Sequence, residues 1–221
     1  PLAGPSSSGT TAVGTSQVQV WTLPIRRNLF FTGREELLAR LHAYLHSQQT
    51  VFVSQPAALS GLGGVGKTQI AIEYAYRYAH EYRYVFWVRA DTTDTLTSDF
   101  LTLAHRLQLP ERDARDQAIT VEAVKHWLEE HSGWLLLFDN ADDISLVDPF
   151  LPTRVRGHLL ITTRTYPIGG RAQRIEIADM DKEEGARFLL RRIGMLAPDA
   201  PLSSVSAPLL TLATALVKEL D

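Results

Sequence analysis

The chain has 221 residues, enough for one large or two small domains at roughly 150 residues per domain. Hydrophobic residues make up 45% and charged residues 21%, a soluble globular balance, and a net charge of −3 supplies no basic field for nucleic acid. Cysteine is absent, which removes disulfides, thiol chemistry and Cys-ligated zinc and fits a reducing, cytoplasmic setting. No apolar run approaches the ~18 residues that a membrane span needs.

Residues 1–16, "PLAGPSSSGTTAVGTS", carry no charge and no large core-forming cluster, so they read as a flexible linker. "FTGREELLARLHAYLHS" opens with a capping box from Thr32 to Glu35 and sets Leu37, Leu38, Leu41, Tyr44 and Leu45 on one helical face. His42 and His46 share the i, i+4 spacing of a metal pair. No third ligand is evident in the sequence, so they read as a solvated helix face. A short strand, "AALS", runs into "GLGGVG", and the helix "KTQIAIEYAYRYAHEY" follows with an Ile70/Tyr74/Tyr78 stripe.

"YVFWV" (84–88) is a second buried strand, and helices are predicted around 96–108 and 120–131, separated by "PERDARD". "LLLFDNADD" (135–143) starts as an apolar run without polar alternation, the pattern of a strand covered on both faces. "HLLITT" (158–163) and "QRIEI" (173–177) are two more strands. Asp181 to Glu184 caps the helix "KEEGARFLLRRIG", and a last helix lies near 205–219. Strands alternating with helices predict a parallel α/β sheet.

Gly61 to Thr68, "GLGGVGKT", matches G-x-x-x-x-G-K-[ST] between a strand and a helix. Glycines let backbone N–H groups approach phosphate oxygens, and the helix N-terminus adds positive partial charge. Gly61, Gly63, Gly64, Val65, Gly66 and Gln69 are the expected phosphate cradle. Lys67 would reach the β- and γ-phosphates, and the Thr68 hydroxyl would ligate Mg²⁺. Asp139, at the carboxyl end of a buried strand, is the natural second Mg²⁺ carboxylate, since ligands of open parallel sheets sit at that edge.

Asn140 can orient a water but cannot accept its proton. Asp142 and Asp143 are each a candidate base or a solvated turn residue. Arg164, at the end of "ITTRT", faces the γ-phosphate if its strand lies between those ending in the phosphate loop and in Asp139. Arg34 opposes the dipole in the first turn of its helix, which suits either a ligand such as adenine or a solvated cation near Glu35 and Glu36.

The ordered set "FFTGREELLARL", "LSGLGGVGKTQIA", "FWVRAD", "LLLFDNADD" and "LLITTRT" resembles the NB-ARC branch of the STAND signal-transduction ATPases, over about residues 24 to 221. The resemblance implies a three-layer P-loop fold with a five-stranded parallel sheet in the order 5-1-4-3-2. It implies a nucleotide-binding domain over 17–178 and the beginning of a helical subdomain over 179–221. It also implies that the backbone near Phe31 and the Arg34 side chain flank the adenine, and that Arg164 is the sensor arginine. Asn140 departs from the paired acids of many members and points to slow hydrolysis.

Starting at Pro1 and ending at Asp221, the chain is expected to be the nucleotide-binding core of a longer protein, without its lid. The expected function is an ATP/ADP switch with Mg²⁺ and slow hydrolysis, controlling self-association of the full-length protein, with no membrane or nucleic-acid partner. A small-molecule kinase, for which Arg154 and Arg156 are the nearest lid candidates, and a nucleotide-free interaction scaffold are the alternatives. No Asn-Lys-x-Asp guanine motif occurs.

Overall fold

In the computed structural model, which describes residues 20–47, 57–60, 66–165, 173–177 and 180–220, six strands form one sheet. They are β1 (Val20–Trp21), β2 (Ala57–Ser60), β3 (Tyr84–Arg89), β4 (Trp134–Asp139), β5 (His158–Thr163) and β6 (Gln173–Glu176). All neighbouring pairs run parallel, in the order β1-β3-β4-β5-β2-β6. The five strands from β2 onward reproduce the expected 5-1-4-3-2 order. The expected five-stranded sheet gains a sixth strand, because β1 adds two residues to the outer edge of β3.

Among the described residues, helices α1 (Glu35–Ser47), α2 (Lys67–Arg77), α3 (Thr93–Arg106), α4 (Gln117–Glu130) and α5 (Ile144–Val147) lie between strands, and α6 (Lys182–Arg192) and α7 (Ala207–Leu220) follow β6. Four of these helices have side-chain caps that start them well, one of them the Asp143 cap on α5. Thr92 and Thr95 form a reciprocal capping box on α3, Asp116 accepts from Ala118 N on α4, and Asp181 accepts from Glu184 N on α6, as the sequence predicts.

The capping box expected at Thr32 and Glu35 does not form. The Thr32 hydroxyl accepts from Arg191 of α6 at 2.8 Å, and the Glu35 carboxylate binds Arg77 of α2. Gly33 and Arg34 instead adopt left-handed backbone (φ 72° and 63°), which turns the chain sharply into α1.

Successive side chains of a strand point to opposite faces, and that alternation builds three layers here. Phe86, Val88, Leu136, Phe138, Leu159 and Ile161 pack with α3 and α4. Val85, Trp87, Leu135, Leu137 and Leu160 pack with α1 and α2 on the other side. β4, in the middle, is buried at every residue. A third cluster, made by Ala186, Leu190, Leu196, Leu202 and Ala213, belongs to α6 and α7 and not to the sheet.

Glu73, only 3% exposed on α2, takes two hydrogen bonds from Arg27 at 2.9 and 2.7 Å and is also paired with Arg77. Arg77 then continues to Glu35, so an ion network locks α1 to α2. Arg27 and Arg77 keep part of their side chains in water, which limits the desolvation cost of this buried carboxylate.

β4 enters past a close contact. A Cβ on Gly157 would lie 2.3 Å from both the Trp134 carbonyl oxygen and its ring, with the indole N–H committed to Leu128 O and His131 O. Gly157→Ala is expected to destabilise the fold by about 1–3 kcal/mol through overpacking. Urea unfolding reads this as a lower midpoint at unchanged slope, and an unchanged midpoint would refute the contact.

Candidate functional site

Strand parity places the first functional carboxylate. Leu135 and Leu137 face α2, so Asp139, two residues on, faces the same helix at its N-terminal end. The same rule on β5 sends Leu160 and Thr162 to that face. Thr68 Oγ1 donates to Asp139 Oδ1 at 2.8 Å, and Thr162 Oγ1 donates to the same oxygen at 2.6 Å. Asp139 is 7% exposed, so two hydroxyls offset the loss of water around its Oδ1.

Gly66 precedes α2 with φ 89° and ψ 20°, a left-handed conformation that an L side chain rarely adopts. Its carbonyl accepts from Ile70 N and begins the helix with Lys67 in the first turn. Burial lowers the Lys67 ammonium from its ordinary value, with Arg164 adding to the effect and Asp142 and Asp139 opposing it.

A cleft of about 700 Å³ opens above these groups, lined by Gly66, Lys67, Thr68, Gln69, Asp91, Asn140, Asp142, Asp143 and Arg164. β5 lies between β4 and β2, the arrangement Arg164 requires to reach this cleft.

Asn140 is in left-handed backbone with φ 61°. Asn and Asp are the non-glycine residues that best tolerate this region. Its N–H donates to Thr162 Oγ1 at 3.0 Å, and its carbonyl accepts from Asp142 N at 2.9 Å. The residue is therefore a turn-former as well as part of the cleft wall.

The turn aims Asp142 at Arg164. The Arg164 N–H and Nε donate to the two Asp142 carboxylate oxygens at 2.7 and 2.6 Å, and Nη2 lies 2.5 Å from Oδ2. Burial acts to raise the Asp142 carboxyl. The hydrogen bonds and charge of Arg164, helped by Lys67, outweigh it and hold the group below the usual carboxylate range. Asp143 points its carboxylate at Ser145 N and Oγ and caps α5. The two acids, equivalent on paper, have separate jobs.

The structure thus joins Lys67, Thr68, Gln69, Gly66, Asp139, Asn140, Asp142 and Arg164 at one edge of the sheet. Gly61, Gly63, Gly64 and Val65 lie outside the described residues. Phe31 and Arg34 do not line the cleft. Phe31 packs at the margin of the α1–α2 core. Arg34 stands one residue before α1, not in its first turn, and its carbonyl accepts from Leu38 N. Its N–H donates to Glu184 of α6, and its guanidinium lies 3.9 Å from the same carboxylate.

Arg154 and Arg156 line a separate cleft with His126, Glu129 and Glu130, so they form no lid over Lys67. Sequence reasoning missed the Thr162 bond to Asp139, whose signal is a threonine of matching parity on the next strand. It also missed Asp91, two residues past the end of β3, which lines the cleft.

The model of the NB-ARC domain family matches residues 34–195. A nucleotide-binding leucine-rich repeat (NLR)-like protein of Hyaloscypha variabilis is 30% identical over 181 residues, covering 71% of this chain and 18% of that protein. The regulatory protein AfsR of Streptomyces griseus is 26% identical over 173 residues, 74% of this chain and 17% of its own length. The chain therefore spans less than a fifth of these relatives. Among solved structures, Cdc6p from Pyrobaculum aerophilum aligns with a TM-score of 0.53 at 17% identity, over 77% of this chain and 54% of that one, and supports the fold. No described helix is long and apolar enough to cross a membrane. With the lysine, threonine and aspartate converged at the head of α2, the chain belongs to the NB-ARC family of nucleotide-binding P-loop NTPases.

Proposed function

We propose that this chain is the ATP/ADP-operated switch module of a longer signalling protein, with slow Mg²⁺-dependent hydrolysis that resets it. The carrying observation is the pairing of Thr68 with Asp139 beside Lys67, under a cleft whose rim holds Arg164 on Asp142. Thr68 Oγ1 and Asp139 Oδ1 are 2.8 Å apart, close to the ~2.9 Å edge of an octahedron with 2.0–2.1 Å Mg–O bonds. An all-oxygen pair at that spacing fits a hard divalent cation. Bound Mg²⁺ would neutralise charge developing on phosphate oxygens.

The phosphates would lie on the backbone of Gly61, Gly63, Gly64, Val65 and Gly66, with Gln69 in the first turn of the helix. Lys67 would contact the β- and γ-phosphates, and Phe31 and Arg34 would flank the adenine. Arg164, exposed and held by one carboxylate, can exchange Asp142 for a γ-phosphate. That exchange frees Asp142 to accept the proton of an attacking water, coupling nucleotide sensing to hydrolysis.

ADP would favour a closed full-length protein, and ATP an open one competent for self-association. The regulatory and leucine-rich repeat relatives support a signalling role of this kind. The separate α6–α7 core supports a nucleotide-binding domain over 17–178 followed by the first part of a helical subdomain over 179–221.

Calorimetric titration is expected to show one site each for MgADP and MgATP, weakened tenfold or more, about 1.4 kcal/mol, by Lys67→Ala. Absence of binding, or equal binding by the variant, would leave the scaffold reading in its place. ATP turnover is expected well below the ~10 s⁻¹ of a median enzyme. Asp142→Ala should lower it by a further ~10²-fold, the lower range for loss of a general base. Asp143→Ala should leave turnover unchanged and lower stability by about 0.5–2 kcal/mol through the lost cap. The reverse pattern would assign the base to Asp143.

A further inference from the structure

We propose that His42, His46 and Glu81 bind a divalent transition-metal ion of the zinc type, clamping the last turns of α1 to the segment that follows α2. The third ligand that the helical pair lacks in sequence comes from a short 3-10 turn at Ala79–Glu81. His46 Nε2 lies 2.8 Å from Glu81 Oε2, His42 Nε2 lies 3.6 Å from Oε1, and the three ligand atoms all lie within 4.8 Å of one another. A tetrahedral site with Zn–N and Zn–O bonds of 2.0–2.1 Å has edges of about 3.3 Å, so closing this triangle takes only side-chain adjustment.

The far sides of both rings are already fixed. His46 Nδ1 is 3.0 Å from the His42 carbonyl, and the carbonyl can only accept, so Nδ1 carries the proton and Nε2 keeps its lone pair when the ring is neutral. His42 Nδ1 is 3.3 Å from the Tyr74 hydroxyl, and the ring stacks on Tyr78 at 3.9 Å between centroids. Tyr74 is hydrogen-bonded to Tyr82 at 3.0 Å, and Tyr82 to His158 Nδ1 at 2.7 Å. This buried chain supplies the outer support that orients metal-binding imidazoles.

The three side chains remain 28–30% exposed, so an ion can enter. His80 Nε2, on a largely exposed side chain, stands 3.5 Å from Glu81 Oε1. The donor set is two imidazoles and a carboxylate without thiolate, which suits Zn²⁺ and not Mg²⁺. The site also lies near the start of β5, marked by His158, whereas the nucleotide cleft lies at that strand's other end.

The test is calorimetric titration of the chelator-treated 221-residue chain with ZnCl₂ in excess MgCl₂. One equivalent should bind with a micromolar or tighter Kd, weakened tenfold or more by His46→Ala and by Glu81→Gln. His126→Ala, on the outer face of α4, should leave it unchanged. Co²⁺ bound to the unmutated chain should give the intense visible bands of four-coordinate cobalt, a readout that needs no variant to fold. Failure of stoichiometric Zn²⁺ binding, binding that survives both ligand substitutions, or only the weak bands of octahedral cobalt would overturn the site.

Discussion

One carboxylate oxygen organises the working edge of this molecule. Asp139 Oδ1 accepts from Thr68 at the start of α2 and from Thr162 near the end of β5, so a single buried acceptor joins a helix and two strands. Hydrogen bonds to a charged acceptor are stronger than neutral ones, and leaving such a group buried without them costs more than the bonds gain. The position of Lys67, one residue before Thr68, follows from that junction. So does the turn at Asn140, whose N–H rests on the same Thr162 hydroxyl.

The sheet makes the junction possible by parity. In β4 the odd-numbered residues face α1 and α2 and the even-numbered ones face α3 and α4, with apolar side chains on both sides as far as Phe138. A shift of one residue would send Asp139 to the α3–α4 face and bury Phe138 against α2. Two opposed apolar cores therefore protect the register on which the site relies.

Much of this was legible in the residues. The apolar runs of β3, β4 and β5 and the glycine-rich turn before Lys67 are strong local signals, and the order of the five core strands followed from the family resemblance. What escaped was short or distant. β1 has two residues, too few for any period to show, and pairs with a strand more than sixty residues away. The apparent capping box at Thr32 and Glu35 failed because Arg191 and Arg77, from other helices, took both side chains. Asp142 and Asp143 look interchangeable until the left-handed turn at Asn140 points one at Arg164 and the other along α5. The two histidines of α1 resembled a solvated face because Glu81 lies on a separate segment.

The conformation of Asn140 has a further consequence. Asparagine and aspartate are nearly alike in shape and both accept left-handed backbone, so the turn constrains which family of side chains stands there and not its charge. A single-base change in an asparagine codon gives aspartate. Under the proposed switch reading, the rate of resetting would be separable from the architecture that holds the turn: mutation at Asn140 would tune the clock without rebuilding the case.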